Sequence, residues 1–339
     1  MPERSALRFS RGDELAGKNG KVPQIISFGE ALIDAFADPG VALSDAETLH
    51  PRPGGAPANV AVALARLGAD VGFIGKVGVD DYGTFLINLL AGEGVDVTHF
   101  TADSAGPTML AIVAAPSPDE QSFILYSGAD ALLRSKELPK AYIETASVFV
   151  CGSVTLSSDS RTAVIQAAQW ARSAGNHVLF DVNLRPLLWP DLEVARRRIE
   201  AGLETASVVK LNESELKFLT GTADPAPGAG QVLERGVQLC CVSLGGEGAY
   251  FDNGTASGTV RAFAVDVVET TGSGDAFVAG LAHGISGLDQ PLEELDEPAL
   301  RRIISFANAC GALAATGAGA MSALPSLNAV ESLLGAAKS

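Results

Sequence analysis

Short apolar runs of strand length recur along this chain, each separated from the next by a segment with helical spacing. That alternation sharply restricts the folds open to it. The runs are Ile25–Phe28, Val71–Ile74, Val148–Cys151, Val178–Asp181, Val208–Leu211 and Leu239–Leu244. Between them, Ala58–Leu67, Tyr82–Ala91, Arg161–Ala174 and Val194–Glu204 gather apolar residues at helical spacing. Strands that are apolar throughout need cover on both faces. The expected architecture is therefore α/β, with a mostly parallel sheet built from βαβ units. One region departs from the pattern. Residues 108–115 and 121–126 are extended runs joined by Pro116-Ser117-Pro118-Asp119-Glu120, a hairpin signal. Such an insertion suits a lid or a dimer surface, with a plain surface excursion as the lesser alternative. Residues 1–22 are polar, show no hydrophobic period and are expected to be a disordered extension. Pro225–Gly230 reads as a local loop.

Composition narrows the function classes. The 339 residues fit one large domain or two smaller ones, and 47% hydrophobic against 19% charged residues exclude disorder for most of the chain. A net charge of -16 argues against nucleic acid as a partner, because a phosphate-tracking surface needs excess Lys and Arg. A small anion is still admissible, since oriented backbone N–H groups can hold one inside an acidic protein. The four cysteines form no Cys-x-x-Cys pair and the four histidines are scattered, so neither a zinc site nor histidine catalysis is expected. Buried thiols in a reducing cytoplasm are the expectation. No apolar segment follows the N-terminal charges, so no signal peptide is expected. Residues 303–330 carry no charge, but they are mostly small or polar and Pro325 interrupts them. They read as helix plus loop rather than a membrane span.

Glu269-Thr270-Thr271-Gly272-Ser273-Gly274-Asp275-Ala276-Phe277 is the most informative segment. It follows a strand-like run, Ala262–Val268, and opens a helix over Ala276–Gly287. Two glycines permit a sharp turn that aims consecutive N–H groups outward at the positive end of a helix dipole, a setting that stabilises an anion. A carboxylate there repels the anion. Asp275 makes sense if it accepts a proton from a hydroxyl attacking phosphorus, or more plainly as a helix cap. Gly54-Gly55-Ala56-Pro57-Ala58-Asn59 lets a polar ligand approach the backbone, and Asp34 is placed at the end of the first strand, where open α/β sheets bind ligands. Carboxylate plus carboxamide suits a neutral polyol, although both residues also serve in turns and caps. Asn212 and Glu215 stand three apart at a strand-to-helix junction, fit for a hydrated Mg²⁺ or for a capping box. Ser243-Leu244-Gly245-Gly246-Glu247-Gly248 ends a strand in a turn suited to a nucleotide and equally to a hairpin. Neither a P-loop nor a Gly-x-Gly-x-x-Gly fingerprint occurs, which weakens a nucleotidase or a dinucleotide dehydrogenase.

Taken together, GGAPANVAVALARLGADVGFIGKVGVDDYG (54–83), Lys210–Glu215 and ETTGSGDAF (269–277) resemble the signatures of the ribokinase-like, or PfkB, carbohydrate kinases. FGEALID (28–34), DVNLRPLLW (181–189) and FANACGAL (306–313) are similar to its fructokinase branch. The resemblance implies a three-layer α/β/α domain over 23–339, with a mostly parallel central sheet and a small β-lid around 35–53 and 106–128. It implies ATP-dependent phosphorylation of a sugar, first of all fructose to fructose 6-phosphate, by a cytoplasmic homodimer joined through the lid. Another small sugar, a sugar acid or a silent sugar-binding regulator are the alternatives. By the resemblance, Asp275 is the general base and Gly272, Ser273 and Gly274 form the anion hole. Asp34, Gly54, Gly55 and Asn59 contact the sugar. Asn212 and Glu215 (through water) serve Mg²⁺ and phosphate, while Ser243, Gly245, Gly248 and Asn308 line the nucleotide site, with Asp181, Asn183 and Arg185 near the phosphates. Glu269, Thr271 and the carbonyls of Ala314, Gly317 and Gly319 match a monovalent-cation site. Glu269 stands where the family usually has Asp, and that extra methylene leaves K⁺ dependence open. Ser273 replaces a commoner Ala, and the lid run Phe123–Asp130 lacks the Arg that would partner a sugar acid.

Overall fold

A computed structural model describes residues 22–117, 120–288 and 290–337. The expected terminal extension lies outside them apart from Val22, and Pro118 and Asp119 of the hairpin turn lie outside as well. In chain order the first half contains β1 (Ile25–Phe28), β2 (Leu32–Phe36), β3 (His50–Gly54), α1 (Ala56–Arg66), β4 (Val71–Gly78), α2 (Asp81–Gly92), β5 (Phe100–Asp103), β6 (Leu110–Ser117), β7 (Glu120–Tyr126), α3 (Lys140–Thr145), β8 (Val148–Gly152) and α4 (Ser153–Ser157). The second contains α5 (Arg161–Ser173), β9 (His177–Asp181), α6 (Leu192–Leu203), β10 (Val208–Asn212), α7 (Glu213–Thr220), α8 (Pro225–Leu233), β11 (Leu239–Ser243), β12 (Ala249–Asp252), β13 (Ser257–Val260), α9 (Ser273–Ser286), α10 (Glu297–Ala314) and α11 (Leu327–Ala336).

Nine strands form one sheet in the order β13-β12-β11-β10-β9-β8-β1-β4-β5, parallel except for β12 and β13. Period-two alternation divides its residues between two cores. On β1, Ile25 packs with α1, α2, α9 and α10, whereas its neighbour Ile26 packs on the opposite face with α3, α5, α6 and α8. This is the three-layer α/β/α arrangement. Four further strands, β3-β2-β6-β7, make a separate sheet whose inner face carries Leu32, Met109 and Ala111. Along β7 the alternation is visible: Phe123 and Leu125 turn toward a cleft, while Ile124 and Tyr126 are exposed.

The six apolar runs become strands within four residues of their expected limits, and the hairpin forms. Three expectations are corrected. Asp34 does not end β1. The chain breaks at Gly29 and restarts as β2, so Asp34 sits mid-strand in the small sheet, opposite Arg52 and Ala111. Ala262–Val268 is no strand. It has strand-forming residues but no partner strand, Val267 and Val268 are exposed, and the Val268 amide donates to Ala315 O at 2.8 Å. Pro225–Gly230 opens α8, because the Asp224 carboxylate caps the Ala226 amide and proline is well tolerated in a first helical turn.

Helices α9 and α10 approach closely through Gly280, where an added Cβ would meet Ala307 Cα at 2.8 Å and Cys310 Sγ at 3.0 Å. Because α9 begins at the expected anion-binding turn, this contact positions that turn. Gly280→Val should cost about 1–3 kcal/mol by overpacking. Gly287→Ala, with nothing within 4 Å of the new carbon, should be nearly neutral. Urea unfolding of both variants tests the pair: equal stabilities would remove Gly280 as a spacer.

Candidate active site

The cleft lies where the carboxyl ends of the strands meet the small sheet. It has a volume of about 520 Å³ and is lined by Glu30, Asp34, Gly55, Asn59, Asn183, Arg185, Lys210, Thr271, Gly272, Gly274 and Asp275 among others. That size is usual for a small-molecule site.

Its floor is the start of α9. Gly272 adopts φ 82°, a left-handed conformation that lets the chain reverse, and the Ser273 and Ala276 amides bond back to Thr270 O and Gly272 O. Among the described residues, no carbonyl accepts from the Gly274 or Asp275 amides. Those two donors open into the cleft at the positive end of a 14-residue helix. Ser273 does not line the cleft, and its Oγ is buried without a partner.

Beneath the turn lies a cation that sequence reasoning passed over. A Cβ on Gly274 would stand 3.4 Å from Lys210 Nζ. Strands β9 and β10 pair with Lys210 opposite Asp181, and the ammonium donates to Asp181 Oδ1 at 3.1 Å with both side chains buried. Burial alone would depress the lysine, but the carboxylates of Asp181, Glu215 and Asp275 outweigh it and hold it charged. The orphan amides, the helix dipole and Lys210 therefore act in one direction.

Three carboxyls face the cleft. Burial, and then the Asp181 charge, push Asp275 up to about 6, against a hydrogen bond from Asn59 Nδ2 to its Oδ2 at 2.7 Å. Burial and the nearby Asp275 charge likewise raise Asp34 to about 6. Glu30 is 4% exposed with Oε2 unpartnered, and burial lifts it to about 8, with Asp130 and Asp275 adding to the effect and Arg185 opposing it. Asn59, expected as a sugar contact, thus also orients Asp275. Its Oδ1 is buried without a partner. Gly54 is required by close approach, since a Cβ there would land on Asp34 Oδ2. Gly55 opens α1 at φ 99°. Asn183 is the only non-glycine with positive φ among the described residues, at 34°, and Arg185 is exposed at the rim.

Asn212 and Glu215 form the capping box. Asn212 Oδ1 accepts from the Glu215 amide at 2.9 Å, Glu215 Oε2 accepts from the Asn212 amide at 2.8 Å, and Oε1 accepts from Leu184 N at 2.9 Å. With each carboxylate oxygen already holding an amide, the donor set fits a magnesium ion only through water, the mode that this slowly dehydrating cation favours. Ser243 ends β11 opposite Asn212, Gly245 and Gly248 occupy the turn to β12, and none of the three lines the cleft. The Asn308 amide is spent on the carbonyls of Val260 and Arg261, pinning the chain as it leaves β13. The monovalent-cation set fits poorly. Glu269 Oε2 accepts from the Gly319 amide at 2.9 Å, and Arg52 Nη1 lies 3.9 Å from the same oxygen. Ala314 ends α10, and Gly317 lies in the turn that follows.

The model of the pfkB family carbohydrate kinases matches residues 22–327. The chain belongs to that family. It is 41% identical over 325 residues to "Probable fructokinase-6, chloroplastic" of Arabidopsis thaliana, covering 94% of this chain and 84% of that one. Among solved structures it is similar to a fructokinase with bound ATP from Xylella fastidiosa (35% identity, TM-score 0.85, 93% and 99% of the two chains). It is also similar to a fructokinase from Vibrio cholerae O395 in a fructose, ADP and calcium ion bound form (31% identity, TM-score 0.81, 95% and 100%). The ribokinase-like fold and the expected carbohydrate-kinase activity are thereby borne out. No helix of the described residues is long and apolar enough to cross a membrane.

A buried acid raised above its ordinary value makes folding take up a proton. Its penalty is absent below the unfolded pKa of 4.5, grows as pH rises, and is complete above about 8 for Glu30. Glu30→Gln should therefore stabilise the protein on the alkaline side, on the order of a few kcal/mol at about pH 9 and little at about pH 5. Urea midpoints at the two pH values measure this, and a gain that is the same at both would contradict a neutral buried Glu30.

Proposed function

We propose that the chain phosphorylates fructose at its 6-hydroxyl, using ATP, to give fructose 6-phosphate. The observation that carries the reading is the meeting of an acid poised near neutrality with two unbonded amides above a buried lysine. The sugar sits between the small sheet and α1, with Asp34 and Asn59 accepting and donating to its hydroxyls. No arginine follows Tyr126 in the lid to meet a sugar carboxylate, which favours a neutral sugar. Asp275, ionised at neutral pH, takes the hydroxyl proton as the oxygen forms its bond to the γ-phosphorus and the bond to the departing ADP breaks. The 274–275 amides and Lys210 offset charge on the transferring group. Water-mediated Mg²⁺ near Asn212 and Glu215 would neutralise the nucleotide phosphates.

Residues 23–339 form one catalytic unit in this reading, with the small sheet as its lid. The lid's outer face, bearing Ile124 and Tyr126 at 41% and 53% exposure, supports a homodimer joined there. Four buried, unbridged cysteines agree with the cytoplasm.

A panel of fructose, ribose, 2-keto-3-deoxygluconate and adenosine with ATP, read by ADP release, should show fructose preferred. No ADP release with any of them would sink the kinase reading. Asp275→Ala should lose roughly 10²–10⁴-fold in kcat with sugar affinity largely kept. Because the base works ionised, kcat/KM should fall toward acid with an apparent pKa near 6 shared with Asp34. Asn59→Ala should move that limb to higher pH, and a limb that stays put would remove Asn59 as the group holding the base.

A further inference from the structure

Arg52 reaches from the lid to Glu269 and Gly319, on the segments that flank the anion-binding turn. It sits on β3 opposite Asp34, its guanidinium lies over the Phe36 ring at 5.3 Å, and its Nη1 is 3.9 Å from Glu269 Oε2. A Cβ on Gly319 would stand only 3.3 Å from that same nitrogen. The longer Glu269 side chain accepts directly from the Gly319 amide, and the Val268 and Glu269 amides both bond to Ala315 O. Thus the carboxylate joins the segment before Gly272 directly to the turn after α10 through a hydrogen bond. The one carboxylate of the resembling cation site already holds an amide and has a guanidinium 3.9 Å away, so a positive charge is present beside the oxygen that would otherwise ligate a monovalent ion.

We propose that Arg52, held against Glu269, supplies the positive charge beside the anion-binding turn, so that phosphoryl transfer here needs no monovalent metal ion. The pair is partly exposed, 46% and 30%, and contributes little to stability. Its importance is positional. Because Arg52 belongs to the lid, the charge is set against the turn only when β3 packs over Glu269, which ties the anion hole to lid position. Arg52 touches no reacting atom and is a positioning residue.

The inference rests on the kinase reading, and the test separates the two. Fructose-dependent ADP release by wild type and by Arg52→Gln is measured in tetramethylammonium chloride and in potassium chloride at equal ionic strength. Wild type should turn over equally in both. R52Q should lose roughly tenfold or more in kcat in tetramethylammonium and recover in potassium, as removal of one oriented charge implies. Thermal melting gives a second readout: potassium should raise the melting temperature of R52Q and leave wild type unmoved. Turnover absent in every salt sinks the kinase reading itself. Wild-type turnover that requires potassium, or an R52Q enzyme indifferent to salt in both rate and melting, overturns the role of Arg52 while leaving that reading intact.

Discussion

Lys210 is held by Asp181 directly below the start of α9, and the geometry of the cleft follows from that contact. A buried ammonium is costly unless it is paired and hydrogen-bonded. Parallel pairing of β9 with β10 sets Asp181 opposite it, and Glu215 lies near enough to add its charge. With the cation fixed, a Cβ at position 274 would touch it at 3.4 Å, and the Gly274 and Asp275 amides face the cleft above it. Helix dipole, amides and lysine then create a positive floor in a protein whose net charge is -16.

That floor also explains how the carboxyls around it are poised. Asp275 stays near neutrality because burial and Asp181 raise it while Asn59 and Lys210 oppose them. The result is an acid ionised at neutral pH yet basic enough to accept a proton, the balance general-base catalysis wants. Burial, and then the Asp275 charge across the cleft, raise Asp34. Glu30, deeper and with an unpartnered oxygen, is neutral near pH 7 and so adds little repulsion to an incoming phosphate.

Much of this was legible in the sequence because apolar runs and paired glycines are local signals. The strands, the hairpin and the 272–275 turn could each be read from a few consecutive residues. What was missed depends on long-range register or on local chemistry that composition hides. Lys210 meets Asp181 only through strand pairing, and Asn59 meets Asp275 across 216 residues. Asp34 follows the first apolar run by only six residues, so the sequence places it at that strand's end, whereas the break after Phe28 sends Leu32–Phe36 into the lid as a new strand. Pro-Ala-Pro-Gly is poor helical sequence and suggests a loop, yet the Asp224 cap and tertiary packing of Ala229 and Val232 outweigh that in α8.

The central claim is that the Asp275 carboxylate receives the proton of the sugar alcohol while the neighbouring amides hold the transferring phosphoryl group. A crystal structure with fructose and a non-hydrolysable ATP analogue tests it most directly. The account predicts an Asp275 oxygen within about 2.6–3.2 Å of the hydroxymethyl oxygen, with terminal phosphate oxygens on the Gly274 and Asp275 amides. A carboxylate turned away from the sugar, too far to connect even through one water, would contradict it.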